Sequence, residues 1–143
     1  MASNEEIDGG HIAARALAAA GIDTMFGVVA GPMIELYGGG LAAGLNVVGC
    51  RHELNGGFMA QAWGYQKKKP GVLVVGSGPA LTNALTPLYV ATESAMPLVV
   101  LGGSTFSNTL GWGGFQELDQ VTAAKPLCKA GHYIAGELMQ SDI

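Results

Sequence analysis

Val72-Leu73-Val74-Val75 followed by Gly76-Ser77-Gly78-Pro79 decides the fold. Four apolar residues in a row, with no polar alternation, predict a strand buried on both faces, as in a parallel sheet covered by helices. The glycine-rich turn after it leads into a helix predicted from Ala80 to Ala91. Before it, Lys69-Pro70-Gly71 makes the turn that delivers the chain to the strand.

The same alternation extends in both directions. Asp8 is the predicted N-cap of an alanine-rich helix ending at Gly21. Thr24 to Val29 reads as a strand. Gly31-Pro32 opens a second helix through Leu36-Tyr37, which Gly38, Gly39 and Gly40 are expected to end. Leu45 to Cys50 is the next strand, with Arg51-His52-Glu53 at its carboxyl end and a helix from about Leu54 to Gln66. Pro97 to Leu101 reads as another buried strand, stopped by Gly102-Gly103. Ser104 to Gly114 is polar and glycine-rich and is expected to loop over the end of the sheet. A short helix is predicted to begin within Gly114 to Val121. Strands alternating with helices imply βαβ crossovers, hence an α/β fold: a three-layer parallel sheet with helices on both faces. In such sheets ligands bind outside the carboxyl ends of the strands, which singles out Val29-Ala30-Gly31, Arg51-His52-Glu53 and Gly76-Ser77-Gly78-Pro79.

Composition narrows the function. The chain has 143 residues, enough for one domain, with 49% hydrophobic and only 13% charged residues. Average chains carry roughly a quarter charged residues, so part of this surface is expected to be covered by another subunit. A net charge of -4 leaves no basic stripe for nucleic acid. Lys67, Lys68 and Lys69 read as a solvated turn. Cys50 and Cys128 form no Cys-x-x-Cys pair and fit a reducing compartment. His11, His52 and His132 lack ligand spacing, so no metal site is expected on this chain. The acidic start is not a secretion signal, and no apolar run approaches the roughly 20 residues of a membrane span. A cytoplasmic protein without membrane contact is the expectation.

Several motifs are missing. No Gly-x-x-x-x-Gly-Lys-Ser/Thr loop occurs, nor a Gly-x-Gly-x-x-Gly after the first strand, and Ser77 lacks the flanks of a hydrolase nucleophile. Glu53 is the charge with most potential. Between an apolar strand and an apolar helix it is partly desolvated, which raises a carboxyl pKa and poises it for proton exchange. Spacing alone favours a plainer role, an acid at the positive end of a helix.

One series of motifs changes that balance. Phe26-Gly27-Val28, Arg51-His52-Glu53, Lys69-Pro70-Gly71-Val72, Ser77-Gly78-Pro79 with Thr82-Asn83-Ala84, Met96-Pro97-Leu98-Val99, Phe115-Gln116-Glu117-Leu118-Asp119-Gln120, and Lys129 stand in order along the chain. Together, from about residue 10 to 130, they resemble the pyrimidine-binding domain of thiamine diphosphate enzymes. Glu117-Leu118-Asp119-Gln120 with Ala123-Ala124-Lys125-Pro126 and Lys129-Ala130 is most similar to the 2-hydroxyacyl-CoA lyase and oxalyl-CoA decarboxylase group. Acetolactate synthase-like and benzaldehyde lyase-like relatives share much of it.

The resemblance implies that Glu53 hydrogen-bonds a ring nitrogen of the cofactor's aminopyrimidine and stabilises its imino tautomer. That nitrogen then takes the proton from the thiazolium carbon. It implies that Gln116, with Phe115 beside it, faces the substrate; the alternative is a solvent-facing residue at a helix start. Val29, Ala30 and Gly31 match a loop near the reacting carbon, and Ser77, Gly78, Pro79 and Asn83 match the segment near the pyrimidine ring and the partner subunit. For these the alternative is ordinary turn and cap chemistry. His52 reads as structural, and Trp63 and Tyr65 as packing against a dimer partner.

Departures from the family pattern are Ala80, where glycine is usual, and Gly56-Gly57, where alanines are usual. Each glycine weakens a helix by about 1 kcal/mol relative to alanine, so this region is either looser than in relatives or closely approached by another chain. Residues 1–143 are expected to form a single pyrimidine-binding domain without its last strand, stopping at Gln140-Ser141-Asp142-Ile143. The middle domain and the magnesium- and diphosphate-binding domain would lie on a partner chain. The implied function is a lyase, decarboxylase or carboligase component acting on 2-hydroxyacyl or 2-oxoacyl substrates, acyl-CoA among them, in a homo- or hetero-oligomer. The alternatives are a non-catalytic interaction or regulatory subunit, a fragment that keeps the fold, and an unrelated flavodoxin-like nucleotide binder.

Overall fold

A computed structural model describes residues 7–134. The expected ending at Gln140-Ser141-Asp142-Ile143 lies outside the described residues. Four parallel strands, β1 (Thr24–Gly27), β2 (Asn46–Gly49), β3 (Gly71–Val75) and β4 (Leu98–Gly102), form one sheet in the order β2-β1-β3-β4. Helix α1 (Gly9–Ala19) precedes β1. Helices α2 (Ile34–Ala42), α3 (Glu53–Lys67) and α4 (Pro79–Glu93) make the three crossovers, and α5 (Gln120–Ala124) follows the loop after β4.

The uninterrupted apolar run of β3 is explained by its place in the middle of the sheet, where all five residues are buried. Strand side chains alternate between faces. Val72 and Val74 join Met25 against Ala14 of α1 and Leu36 and Tyr37 of α2. Leu73 and Val75 join Phe26 against Ala60 of α3 and Leu81 and Ala84 of α4. Two cores result, one on each face, giving the three layers. Burial of each Val, Leu or Met in them stabilises the fold by about 1.5–3 kcal/mol relative to exposure.

Four expectations need correction. Gly38-Gly39-Gly40 does not end α2, which continues to Ala42. A Cβ at Gly39 would stand 2.7 Å from the His11 backbone, and one at Gly40 would stand 2.3 Å from Met25, so these glycines let α2 seat on α1 and β1. Strand β1 stops at Gly27, because Val28 to Ala30 already turn toward a 3-10 turn over Gly31–Met33. Strand β4 is not fully buried: among the described residues it pairs with β3 alone, and Val99 is partly exposed. The helix expected from Gly114 begins only at Gln120, capped by Asp119, whose carboxylate accepts from the Thr122 N–H at 3.0 Å.

Contacts within the chain refine three further readings. Among the three lysines, Lys69 pairs with Asp23 at 2.6 Å and Lys67 lies 4.8 Å from the centre of the Trp63 ring, so the turn is tied down. Trp63 packs within the chain, edge-on to Phe26 at 6.1 Å, and donates to Asp23. Gly56 and Gly57 are filled by this chain's own contacts, because a Cβ at Gly57 would stand 2.4 Å from Pro87 of α4.

Candidate functional site

The sheet order brings the site together. The chain leaves β1 toward β2 on one side, and leaves β3 toward β4 on the other. The segments leaving these two adjacent central strands diverge, and such a switch point is where α/β sheets open a crevice. Ala30, after β1, faces Gly76, after β3; a Cβ at Gly76 would stand 2.9 Å from the Ala30 methyl. Val29 is exposed beside it, as is Gly31.

Glu53 stands at the first turn of α3. His52 is the cap of that helix, its Nδ1 accepting from the Leu54 N–H at 3.2 Å. The structural role read for His52 is thereby met, and Glu53 does not serve as the cap. Its side chain is half-buried, and its Oε2 accepts a hydrogen bond from Asn83 Nδ2 at 2.9 Å. No other hydrogen bond reaches this carboxylate among the described residues. Asn83 belongs to the second turn of α4, the helix that starts at Pro79, so one helix connects the Ser77-Gly78-Pro79 turn to Glu53.

The Ser77 turn meets the segment after β4. Ser77 is buried, and its Oγ donates to Gln116 Oε1 at 3.3 Å. Gly78 adopts φ +53°, a conformation open to glycine, and the Gln116 backbone lies against it: a Cβ there would stand 2.5 Å from the Gln116 carbonyl oxygen. Gln116 itself has φ +58°, rare for a residue with a side chain, so its corner is held by its surroundings. Phe115 is 86% exposed and touches no core residue group. The structure therefore groups Gln116, Ser77, Gly78 and Pro79, and separately Glu53 with Asn83; no hydrogen bond among the described residues joins Glu53 to Gln116.

Sequence reasoning missed three residues. Gln120 is bonded to the Gly78 N–H and to the Gly103 carbonyl. Glu117 accepts from the N–H groups of Gly111 and Gly114, and these bonds hold its carboxyl below the usual range. Tyr37 donates its hydroxyl to the Val74 carbonyl at 3.2 Å, and burial pushes its pKa up to about 12. Gln120 and Glu117 were visible in their motif; Gln120 and Tyr37 reach partners in other loops or strands that leave no local signal, whereas the partners of Glu117 lie three and six residues away. His11 lacks ligand spacing to the other histidines in the sequence, yet it pairs with Asp8 at 2.8 Å, with Glu35 alongside; the three offer ligand atoms within 4.8 Å of one another on an accessible surface.

The residues present suit an aminopyrimidine. A carboxylate fixed through one oxygen leaves the other to meet a ring nitrogen, and half-burial strengthens such a bond. The Ser77 turn leaves the same switch point, Gly76 facing Ala30, with the Gly78 N–H held by Gln120. Among the described residues no helix is long and apolar enough to cross a membrane.

Residues 7–123 match the family described as thiamine pyrophosphate enzyme, N-terminal TPP binding domain. A 2-hydroxyacyl-CoA lyase of Oryza sativa subsp. japonica is 43% identical over 124 residues, which cover 87% of this chain and 22% of that protein. Oxalyl-CoA decarboxylase of Escherichia coli K12 is 39% identical over 125 residues, 86% of this chain and 22% of that protein. A probable acetolactate synthase of Mycobacterium bovis is 35% identical over 120 residues, 84% of this chain and 22% of that protein. The chain thus spans less than a quarter of the length of these curated relatives. With a match over most of its length, on a chain folded as a parallel α/β sheet covered by helices, the chain belongs to the thiamine pyrophosphate enzyme family through its N-terminal TPP-binding domain.

Proposed function

We propose that this chain supplies Glu53 to a thiamine diphosphate site completed by another protein surface, either a diphosphate-binding subunit or the remainder of the same enzyme. That surface would hold Mg2+ and the cofactor's phosphates. The enzyme would cleave, decarboxylate or join at the carbonyl carbon of 2-hydroxyacyl or 2-oxoacyl substrates, acyl-CoA substrates among them. The observation that carries the reading is the Glu53 carboxylate, half-buried at the sheet's carboxyl edge and held through one oxygen by Asn83.

Bound thiamine diphosphate supplies carbanion chemistry at its thiazolium carbon. Everything else falls to protein groups. Glu53 holds a proton in common with a ring nitrogen of the pyrimidine, and Asn83 keeps the carboxylate from rotating. Ser77, Gly78 and Pro79 form the wall beside the ring. Gln116, a neutral amide, orients a substrate carbonyl or carboxylate without titrating, with Phe115 beside it, and the small side chains of Val29, Ala30 and Gly31 leave room for the reacting carbon. The exposure of Val29 and Phe115, at 63% and 86%, accords with a surface that a second domain or subunit covers in an oligomer. Two free cysteines accord with a reducing, cytoplasmic setting.

Native mass spectrometry of the protein purified from its own source, with thiamine diphosphate and Mg2+ added, tests the reading. The expected result is a complex with a further chain or domain that retains cofactor only when both parts are present. A chain that travels alone and retains no cofactor overturns it and leaves a non-catalytic interaction or regulatory module.

A further inference from the structure

Gln120 has a geometry that its place in a short helix does not require. Its Oε1 accepts from the Gly78 N–H at 3.1 Å, and its Nε2 donates to the Gly103 carbonyl at 2.6 Å. An amide carries one acceptor and one donor end, so these two partners fix its orientation uniquely. Gly78 belongs to the turn after β3, and Gly103 follows β4, whose N–H donates to the Val75 carbonyl at 3.0 Å. Gln120 therefore bridges the ends of two adjacent strands from a third segment. The loop that leads into it, residues 104–119, carries Phe115 and Gln116, and it is cross-braced by Glu117 on the N–H groups of Gly111 and Gly114. The backbone hydrogen bonds of this glycine-rich strap, Thr109 to Phe106, Trp112 to Thr109 and Glu117 to Gly114, are local: they fix its turns without placing its Gln116 corner against the end of the sheet.

We propose that Gln120 is a positioning residue, whose side-chain amide, set between Gly78 and Gly103, places the Phe115–Gln116 corner over the Ser77–Gly78 turn. Its meaning for substrate orientation rests on the function proposed above; the placement itself does not. Gln120 meets no reacting atom. It acts through Gln116, four residues earlier, by holding both sides of the contact that Gln116 makes with Ser77 and Gly78.

Nuclear magnetic resonance on the full 143-residue chain, without cofactor, tests the placement. In Gln120→Ala the Gly78 amide should exchange with deuterium about tenfold faster, the loss expected for one tertiary hydrogen bond. The side-chain amide resonance of Gln116 should shift, while the amides of Val72 to Val75 keep their parental exchange. Gln120→Glu keeps an acceptor for Gly78 but loses the donor to Gly103. It should shift the Gln116 resonance while leaving Gly78 exchange within about threefold of the parent. Unchanged Gly78 and Gln116 signals in Gln120→Ala overturn the proposal, as does equal acceleration throughout Val72 to Val75, which would mark general support instead of positioning. If Gln120→Ala fails to fold, an unmoved Gln116 resonance in Gln120→Glu overturns it alone. Failure here leaves the cofactor reading intact, because no cofactor enters the measurement.

Discussion

Asn83 donates its side-chain amide to Glu53 at 2.9 Å across a sequence gap of 30 residues, joining the second turn of α4 to the first turn of α3. A carboxylate at a helix start is already favoured by the helix dipole. The amide adds a direction. Replacing Asn83 by alanine should cost about 1 kcal/mol, just below the range of about 1.5–3 kcal/mol for hydrogen bonds to charged groups because the pair is half-exposed. Thermal unfolding should show a Tm lower by roughly 3 °C. In the assembled enzyme the same variant should weaken thiamine diphosphate retention, and a parental affinity would separate Asn83 from the cofactor.

Glu53→Gln separates folding from chemistry. The new amide keeps an oxygen for the Asn83 donor, so Tm should stay within about 2 °C of the parent. It cannot hold or release a proton for the pyrimidine. Turnover of the assembled enzyme should fall by at least about 100-fold, the scale of a lost acid–base group. A variant that turns over normally would remove Glu53 from the chemistry.

Two helical glycines should respond in opposite directions to alanine. At Gly57 the new methyl would stand 2.4 Å from the Pro87 ring, a rigid neighbour inside α4, so overpacking should outweigh the propensity gain and destabilise by about 1–2 kcal/mol. At Gly38, within α2, the nearest atom would be 4.0 Å away, on His11. There the methyl has room, and alanine should stabilise by about 0.5–1 kcal/mol. Urea unfolding of both variants gives the two signs directly, and equal signs would contradict the close α3–α4 contact.

What the sequence revealed follows from the range of each interaction. The run Val72 to Val75 sits in the middle of the sheet as its pattern requires, and the three main crossover helices fall within a few residues of their predicted spans except at the end of α2. Gly39 and Gly40 looked like a stop because local reading sees backbone freedom; their real role is a close approach to His11 and Met25, which is tertiary. The Phe115–Gln116 corner was read as helical for the same reason. Its left-handed Gln116 is set by Ser77 and Gly78, about forty residues earlier, and such contacts leave no periodicity. Motif order located Glu53 and Asn83 individually, but the bond between them is a product of the fold.

Lys69 and Asp23 tie the turn before β3 to the turn before β1 at 2.6 Å, with Lys69 also donating to the Gly21 carbonyl at 3.0 Å. The Lys69 hydrogen bond, aided by those from Thr24 and Trp63, holds the Asp23 carboxyl below its ordinary value. A depressed folded pKa gives stability that is present above the unfolded value of about 4 and is lost as pH falls through the lower, folded one. The pair is solvent-screened, so Lys69→Met should cost no more than about 1 kcal/mol at pH 7. The variant's deficit should shrink below pH 4, where the parent loses the same interaction. A deficit that stays constant into acid would assign the loss to the Lys69 bond with the Gly21 carbonyl, which does not titrate, and not to the pair with Asp23.

Tyr37 gives the opposite end of the pH scale. Its hydroxyl is buried against β3 and donates to the Val74 carbonyl, and burial raises its pKa from 10 to about 12, with negative charge at Cys50 and Glu53 contributing. The folded state thus holds the proton more tightly than the unfolded chain. The corresponding stability is complete below pH 10, and it is lost as pH rises from 10 toward 12, when the unfolded chain ionises first. Two pKa units correspond to about 2–3 kcal/mol. Tyr37→Phe should be less stable than the parent near pH 8 by about 1 kcal/mol, since the Val74 carbonyl loses its side-chain partner. It should lack the Tyr37 share of the alkaline decline, so the stability curves of parent and variant should converge or cross between pH 10 and 12. Because the other tyrosines and the lysines titrate in both proteins, the difference between the two curves isolates this residue. Parallel curves through that window would mean that the phenol ionises in the folded chain as freely as in the unfolded one, which its buried hydrogen bond to the central strand forbids.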